Sequence, residues 1–266
     1  MKHSNLTYKG YANREGLYDI FTSETDSEML TVFVHGYMGY KDWGAWNLMC
    51  EELQKRGFSI AKLNLTSNGT TIENPTEFAD LERFGNGGYF QELSDVRLFL
   101  DHLQKEYGYS KFRLIGHSRG GGIVLLAGLD PRVVEIHCLA PISSIENRFP
   151  VGEELEKWSE EGVYYRKNGR TNQEMPHYYS QYEEFLAHQD ELNIELACRQ
   201  LQKTVFVYHG ENDTSVLPVE GKSVAEWTKG SFFLINDTAH TFDAVEPWLN
   251  SELPQKMLEV LNLNFR

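Results

Sequence analysis

The segment Gly116-His117-Ser118-Arg119-Gly120 constrains this chain more than any other. It lies between an apolar run, Lys111-Phe-Arg-Leu-Ile115, and a helix-like run, Ile123-Val-Leu-Leu-Ala127. Gly-x-Ser-x-Gly in a strand–turn–helix setting throws the serine out at the tip of a sharp turn, in a strained backbone conformation. Side chains two positions before and after the serine would collide, so both positions are glycine. The turn exposes the hydroxyl and aims a helix N-terminus at the reacting centre, where negative charge develops. The run Gly120-Gly121-Gly122 is not followed by Gly-Lys-Ser/Thr, so a phosphate loop is excluded.

Three other segments fall where a serine nucleophile needs them. Leu30-Thr-Val-Phe-Val34 reads as a strand, and His35-Gly36-Tyr37-Met38-Gly39 follows it. A strand-end loop of this kind supplies a backbone N–H to an oxyanion hole, with the N–H of the residue after the nucleophile as its partner. The expected donors are the N–H groups of Tyr37 and Arg119. Thr204-Val-Phe-Val-Tyr-His-Gly210 reads as a buried strand ending in Glu211-Asn212-Asp213. Asp213 is the expected orienting acid, with Glu211 on the same turn as the alternative. Ser231-Phe-Phe-Leu-Ile235 is strand-like, and His240 lies in the polar loop beyond it. Of the nine histidines only His240 follows the acid in the chain. His117 belongs to the elbow with its side chain expected to point away from the serine, and His35 and His209 sit at strand ends in structural positions.

The order Ser118, Asp213, His240 is that of α/β-hydrolases and differs from the chymotrypsin and subtilisin orders. From Leu30 to the C-terminus the chain resembles that family, and within it the bacterial serine esterases related to dienelactone hydrolases and to cinnamoyl or feruloyl esterases. The resemblance is carried by His35-Gly36-Tyr37, Gly116-His117-Ser118-Arg119-Gly120-Gly121, His209-Gly210-Glu211-Asn212-Asp213 and His240-Thr241-Phe242. Dienelactone hydrolases usually carry a cysteine nucleophile, so serine favours the esterase branch. Two positions depart from the pattern. Pro218 comes about one residue later than in relatives, and Arg119 stands where many relatives carry a smaller or neutral residue, which bears on substrate choice.

Repeated strand–helix units give an α/β chain with a doubly wound, mostly parallel sheet. A hairpin is expected over 6–22, strands over 30–35, 58–65, 111–116, 133–140, 204–209 and 231–235, and helices over 42–56, 89–107, 119–129, 218–229 and 251–262. A polar loop spans 66–88. Ligands bind at the carboxyl ends of such strands, where every proposed catalytic residue lies. Residues 144–198 interrupt the alternation and are too long for an ordinary connection. They are rich in aromatic residues, and the resemblance implies a helical cap over the active site. The expected organisation is a hydrolase core of 1–143 and 199–266 with a cap of 144–198. Trp158, Tyr164 and Tyr165 are the expected lining of a substrate pocket.

Net charge is −14 with no Lys/Arg-rich run, which argues against nucleic acid and anionic membranes as partners. The three scattered cysteines show neither metal spacing nor a disulfide framework, and no signal peptide is visible, so a cytoplasmic location is expected. The expected reaction is two-step acyl transfer from a small-molecule carboxylic ester to water, with small or aromatic acyl groups first. It requires no metal and no organic cofactor. A peptidase or a thioesterase would use the same three residues, and a non-catalytic ligand-binding hydrolase fold is the alternative from another class. Oligomeric state is not readable from the residues.

Overall fold

A computed structural model describes residues 1–24 and 28–265. Its main sheet has eight strands. In chain order these are β1 (Lys2–Lys9), β2 (Glu15–Phe21), β3 (Met29–Val34), β4 (Ile60–Leu63), β5 (Lys111–His117), β6 (Val133–Leu139), β9 (Thr204–Gly210) and β10 (Ser231–Ile235). The spatial order is β1-β2-β4-β3-β5-β6-β9-β10. From β4 to β10 every pairing is parallel, and β1 and β2 extend one edge as an antiparallel hairpin. The hairpin begins at Lys2, earlier than expected, because the polar run Lys2–Asn5 pairs on one side only and carries no alternation to read.

The helices that matter to the site are α1 (Trp46–Lys55), α2 (Leu81–Gly85), α3 (Tyr89–Tyr107), α4 (Arg119–Ala127), α8 (Pro218–Thr228) and α9 (Gln255–Asn264). They cover both faces of the sheet. On one face Leu93, Val96 and Leu100 of α3 and Ile123–Ala127 of α4 are fully buried against β3, β5 and β6. On the other, Trp46, Met49 and Leu53 of α1 meet Met257, Val260 and Leu261 of α9. Each such side chain contributes about 1.5–3 kcal/mol through burial. This clamps the strands whose carboxyl ends hold the site. The loop expected over 66–88 also contains α2, whose N-cap Asp80 accepts the Arg83 N–H at 2.9 Å and closes its first turn.

The loop after β3 is held by a largely buried ring of four charges. Asp19 accepts from Lys41 and from Lys62, each at 2.8 Å, and Asp42 pairs with the same two lysines. Burial opposes ionisation of Asp42, but the two ammonium groups win and hold its carboxyl down to about 2. Each charge has two partners of opposite sign, which is what permits burial of Asp19, Lys41 and Lys62, with Asp42 partly exposed at the rim.

Between β6 and β9 the chain leaves the sheet. This insert carries α5 (Glu153–Glu161), α6 (Ser180–Ala187) and α7 (Ile194–Gln200), and also an antiparallel hairpin of β7 (Val163–Lys167) and β8 (Glu174–Tyr178). The insert is helical as expected and also carries this hairpin, in which Tyr164 and Tyr165 pair across from His177 and Pro176, a cross-strand setting that favours aromatic residues. The last helix, α7, does not sit apart. Its Ile194, Ala197 and Cys198 are buried in the main core beside α4 and α8, so the packing boundary falls before residue 194.

Candidate active site

The elbow is built as its composition requires. Ser118 has φ 56° and ψ −118° between β5 and α4. A methyl group added to Gly116 would sit 2.3 Å from the Gly120 carbonyl oxygen, and one added to Gly120 would sit 2.3 Å from the His35 carbonyl oxygen. Neither position tolerates a Cβ. The Ser118 N–H donates to Leu139 O at 2.8 Å, and its own carbonyl accepts from Ile142 N–H at 3.2 Å. Neighbouring β6 and the turn after it thereby lock the strained residue in place.

The acid and the histidine meet although 27 residues separate them. His240 Nδ1–H donates to Asp213 Oδ2 at 2.7 Å. Asp213 is 2 % exposed, and its two oxygens divide their work. Oδ1 accepts the N–H groups of Ser215 at 2.9 Å and Val216 at 3.0 Å. Oδ2 accepts His240 and also His209 Nε2–H, 3.2 Å away. Burial raises the carboxyl, but the bonds from His209, His240 and the Val216 amide outweigh it and hold Asp213 ionised, well below the usual range. Glu211 is placed differently: it is exposed, and among the described residues its carboxylate accepts only the Asp237 N–H, at 3.4 Å.

The loop after β3 runs against the serine. A methyl group on Gly36 would lie 3.1 Å from Ser118 Cβ. The Tyr37 and Arg119 N–H groups have no acceptor among the described residues. The first lies beside the elbow and the second opens α4, where amide dipoles favour negative charge.

Three histidines outside the expected set hold the site's parts together. His117 Nε2–H donates to the His240 carbonyl at 3.0 Å, and the two rings lie 4.7 Å apart. Its side chain does leave the serine, but toward the loop that carries His240. His209 Nε2–H is shared between Val216 O, at 2.8 Å, and Asp213. His177 donates Nδ1–H to Gln181 Oε1 at 3.2 Å and accepts the Tyr37 hydroxyl on Nε2 at 2.7 Å. Burial pushes His117 down to about 3 and His177 to about 4, so both stay neutral. Each lies at or beside a strand end, but nothing in the local pattern separates them from ordinary core histidines.

Two chambers flank Ser118 and His240. The first, of about 310 Å³, is lined by Tyr37, Tyr89, Arg119, Arg148, Tyr164, Arg166 and His177 among others. The second, of about 250 Å³, is lined by Met38, Trp43, Trp46, His117 and Arg170 among others. Of the three aromatic residues expected to line a pocket, Tyr164 lies on the first chamber, stacked on His177 at 4.7 Å. Trp158 lies elsewhere. It is 2 % exposed, its indole N–H donates to His177 O at 2.8 Å, and Tyr164 and Tyr179 pack edge-on against it. Tyr165 also lies elsewhere, 57 % exposed on the outer face of the hairpin. Alternation along β7 sends consecutive tyrosines to opposite faces, so Tyr164 and Tyr165 cannot both face the serine.

A family model described as "Serine aminopeptidase, S33" matches residues 25–200. The chain belongs to this family of α/β-hydrolases. Membership makes it a serine hydrolase in class. No curated protein matches the chain. Solved structures share the fold of this S33 family member throughout. A protein of Agrobacterium vitis S4 superposes with a TM-score of 0.73 at 16 % identity, covering 98 % of this chain and 96 % of its own. Est1E from Butyrivibrio proteoclasticus gives 0.69 at 15 % identity, covering 91 % and 92 %, and is also solved with ferulic acid bound. A puromycin hydrolase gives 0.66 at 14 % identity, with 99 % of this chain matching 38 % of that one. No helix among the described residues is long and apolar enough to cross a membrane.

Proposed function

We propose that this protein hydrolyses carboxylic esters through an acyl-enzyme on Ser118, with His240 as general base and acid and Asp213 as its orienting partner. The observation that carries the reading is the His240–Asp213 bond of 2.7 Å beside a serine held at φ 56°, with Ser118 and His240 on the walls of the same chambers. Asp213 fixes the Nδ1–H tautomer, which leaves Nε2 of His240 free to take the serine proton as the hydroxyl attacks the ester carbonyl. The imidazolium so formed is stabilised by the ionised Asp213. The N–H groups of Tyr37 and Arg119 bind the tetrahedral oxyanion. Proton return from His240 releases the alcohol, and water activated by the same nitrogen frees the acid. Residues 1–143 and 199–266, with α7 packed onto them, serve as the catalytic body, and the rest of 144–198 as a cap that brings Tyr164, Arg166 and His177 to the chamber of the serine.

The family description raises aminopeptidase action, and puromycin hydrolase is a fold neighbour. An aminopeptidase must seat a free α-ammonium group. The residues lining both chambers include four arginines and no Asp or Glu, a surface that repels a cation. The chamber chemistry favours esters of small or aromatic acids. The test is a panel of p-nitrophenyl esters of graded chain length, methyl ferulate and aminoacyl amides, assayed with one enzyme preparation. Cleavage of esters in preference to amides is expected; preferred cleavage of aminoacyl amides overturns the ester reading.

Buried Trp158 and half-buried Tyr164 give separate outcomes. Trp158→Ala removes a packed indole and its hydrogen bond, so stability falls by about 3–5 kcal/mol, with comparable losses on acetate and aromatic esters. Tyr164→Ala opens the chamber wall, so KM rises for bulky or aromatic esters and changes little for acetate. Melting curves together with kcat/KM on both substrates separate the two. Equal losses on both esters for Tyr164→Ala would remove it from substrate recognition.

A further inference from the structure

The first chamber carries an excess of positive charge in a protein whose net charge is −14. Arg119, Arg148 and Arg166 line it, and no carboxylate does. Two of the three are neutralised from behind. Arg119 Nε–H donates to Glu92 at 2.8 Å, and its guanidinium packs on the Tyr89 ring, 3.6 Å from the centroid. Arg148 pairs with Glu220, which also accepts Ser143. Arg166 is different. It comes from β7 of the insert, sits over the Tyr164 ring at 5.5 Å, and has no carboxylate partner among the described residues. The chamber therefore holds one uncompensated guanidinium.

We propose that Arg166 makes this chamber a receptor for a single carboxylate carried on the substrate away from the ester that is cleaved. The inference rests on the ester-hydrolase reading of Ser118. A guanidinium presents a planar fork that matches a carboxylate in bidentate geometry. One uncompensated positive charge matches a monoanion, whereas a phosphate dianion would leave the chamber negative. Tyr37, Tyr164 and Phe149 line the chamber beside it, and Arg166, itself exposed on the hairpin, holds its guanidinium at the chamber's open edge. The Tyr37 hydroxyl is already committed to His177, so it does not compete for the anion. Arg166 stands on the insert and Ser118 on the body, so the bound anion belongs to a remote arm of the substrate and not to the reacting carbonyl. The substrate class is then a half-ester of a dicarboxylic acid or an ester of a carboxylated alcohol.

Two matched pairs read this out. Mono-p-nitrophenyl glutarate against its methyl ester puts the anion on the acyl arm. 4-Acetoxybenzoate against methyl 4-acetoxybenzoate puts it on the alcohol arm. One pair is expected to favour the anion in kcat/KM by about 2–5-fold, the range for an ion pair at an exposed guanidinium. Arg166→Gln brings that ratio toward unity and Arg166→Lys keeps part of it. Arg199→Gln, at an exposed pair with Glu195, leaves it unchanged. No anion preference in either pair, or a preference that survives Arg166→Gln, overturns the proposal. Calorimetry on Ser118→Ala protein with phenylacetate and phenylacetamide separates this from the ester reading. Selective phenylacetate binding that Arg166→Gln abolishes supports the receptor even where the wild type cuts no ester. Equal binding of the two ligands overturns it even where esters are cut.

Discussion

Ser118→Ala lowers kcat/KM for ester hydrolysis by about 10³–10⁶-fold and leaves the fold near normal. The size of the loss follows from the role. Alanine removes the atom that forms the acyl bond, so only oxyanion binding and substrate positioning remain. The fold survives because the bonds that fix residue 118 are made by its backbone: its N–H to Leu139 O, its carbonyl to Ile142 N–H. The positive φ of 56° is a cost that serine already carries, and alanine carries about the same. A fluorophosphonate probe labels the wild type at Ser118 and does not label the variant. Labelling that persists in Ser118→Ala shows that another serine is the nucleophile.

The elbow and the two loops of the site were legible because each is a local pattern with a local cause. Gly116 and Gly120 are glycine since backbone oxygens lie where a Cβ would be, and that constraint is written within five residues. Asp213 and His240 follow β9 and β10, whose apolar runs mark strands whatever surrounds them. The insert obeyed no such rule. Helix α5 reads Glu-Glu-Leu-Glu-Lys-Trp-Ser-Glu-Glu, and nothing in that charged run shows that Trp158 is buried while Tyr165 is not. Trp158 is buried by contacts of α5 with His177 and Tyr179, distant in the chain, while strand alternation turns Tyr165 outward. The arginines are the sharper case. Positions 119, 148 and 166 lie on an elbow, a 3₁₀ turn and a strand, and only the path of the insert brings them to one chamber. No periodicity connects them, so a net-charge reading of the chain sees the opposite sign.

Asp213→Asn reduces kcat/KM by about 10⁴-fold, as loss of the correct imidazole tautomer does in a Ser-His-Asp system. The hydrogen-bond inventory around Asp213 explains why an amide cannot substitute. All four groups aimed at the carboxylate are donors: the Ser215 and Val216 amides on Oδ1, His240 and His209 on Oδ2. An asparagine offers one oxygen and one NH₂ group. With NH₂ toward His240, the ring must carry its proton on Nε2 and can no longer accept from Ser118. With NH₂ toward the turn, it opposes the Ser215 and Val216 amides, and the 211–217 loop loses the bonds that shape it. His209, sharing Oδ2, adds to the conflict in the first orientation. Activity therefore falls by orders of magnitude in either orientation, and the melting temperature falls in the second. Glu211→Gln touches one exposed bond of 3.4 Å to the Asp237 N–H and costs far less in both quantities. The measurement is kcat/KM for one p-nitrophenyl ester on wild type and both variants, with melting curves alongside. A large loss at Glu211 with little at Asp213 would move the orienting role to Glu211.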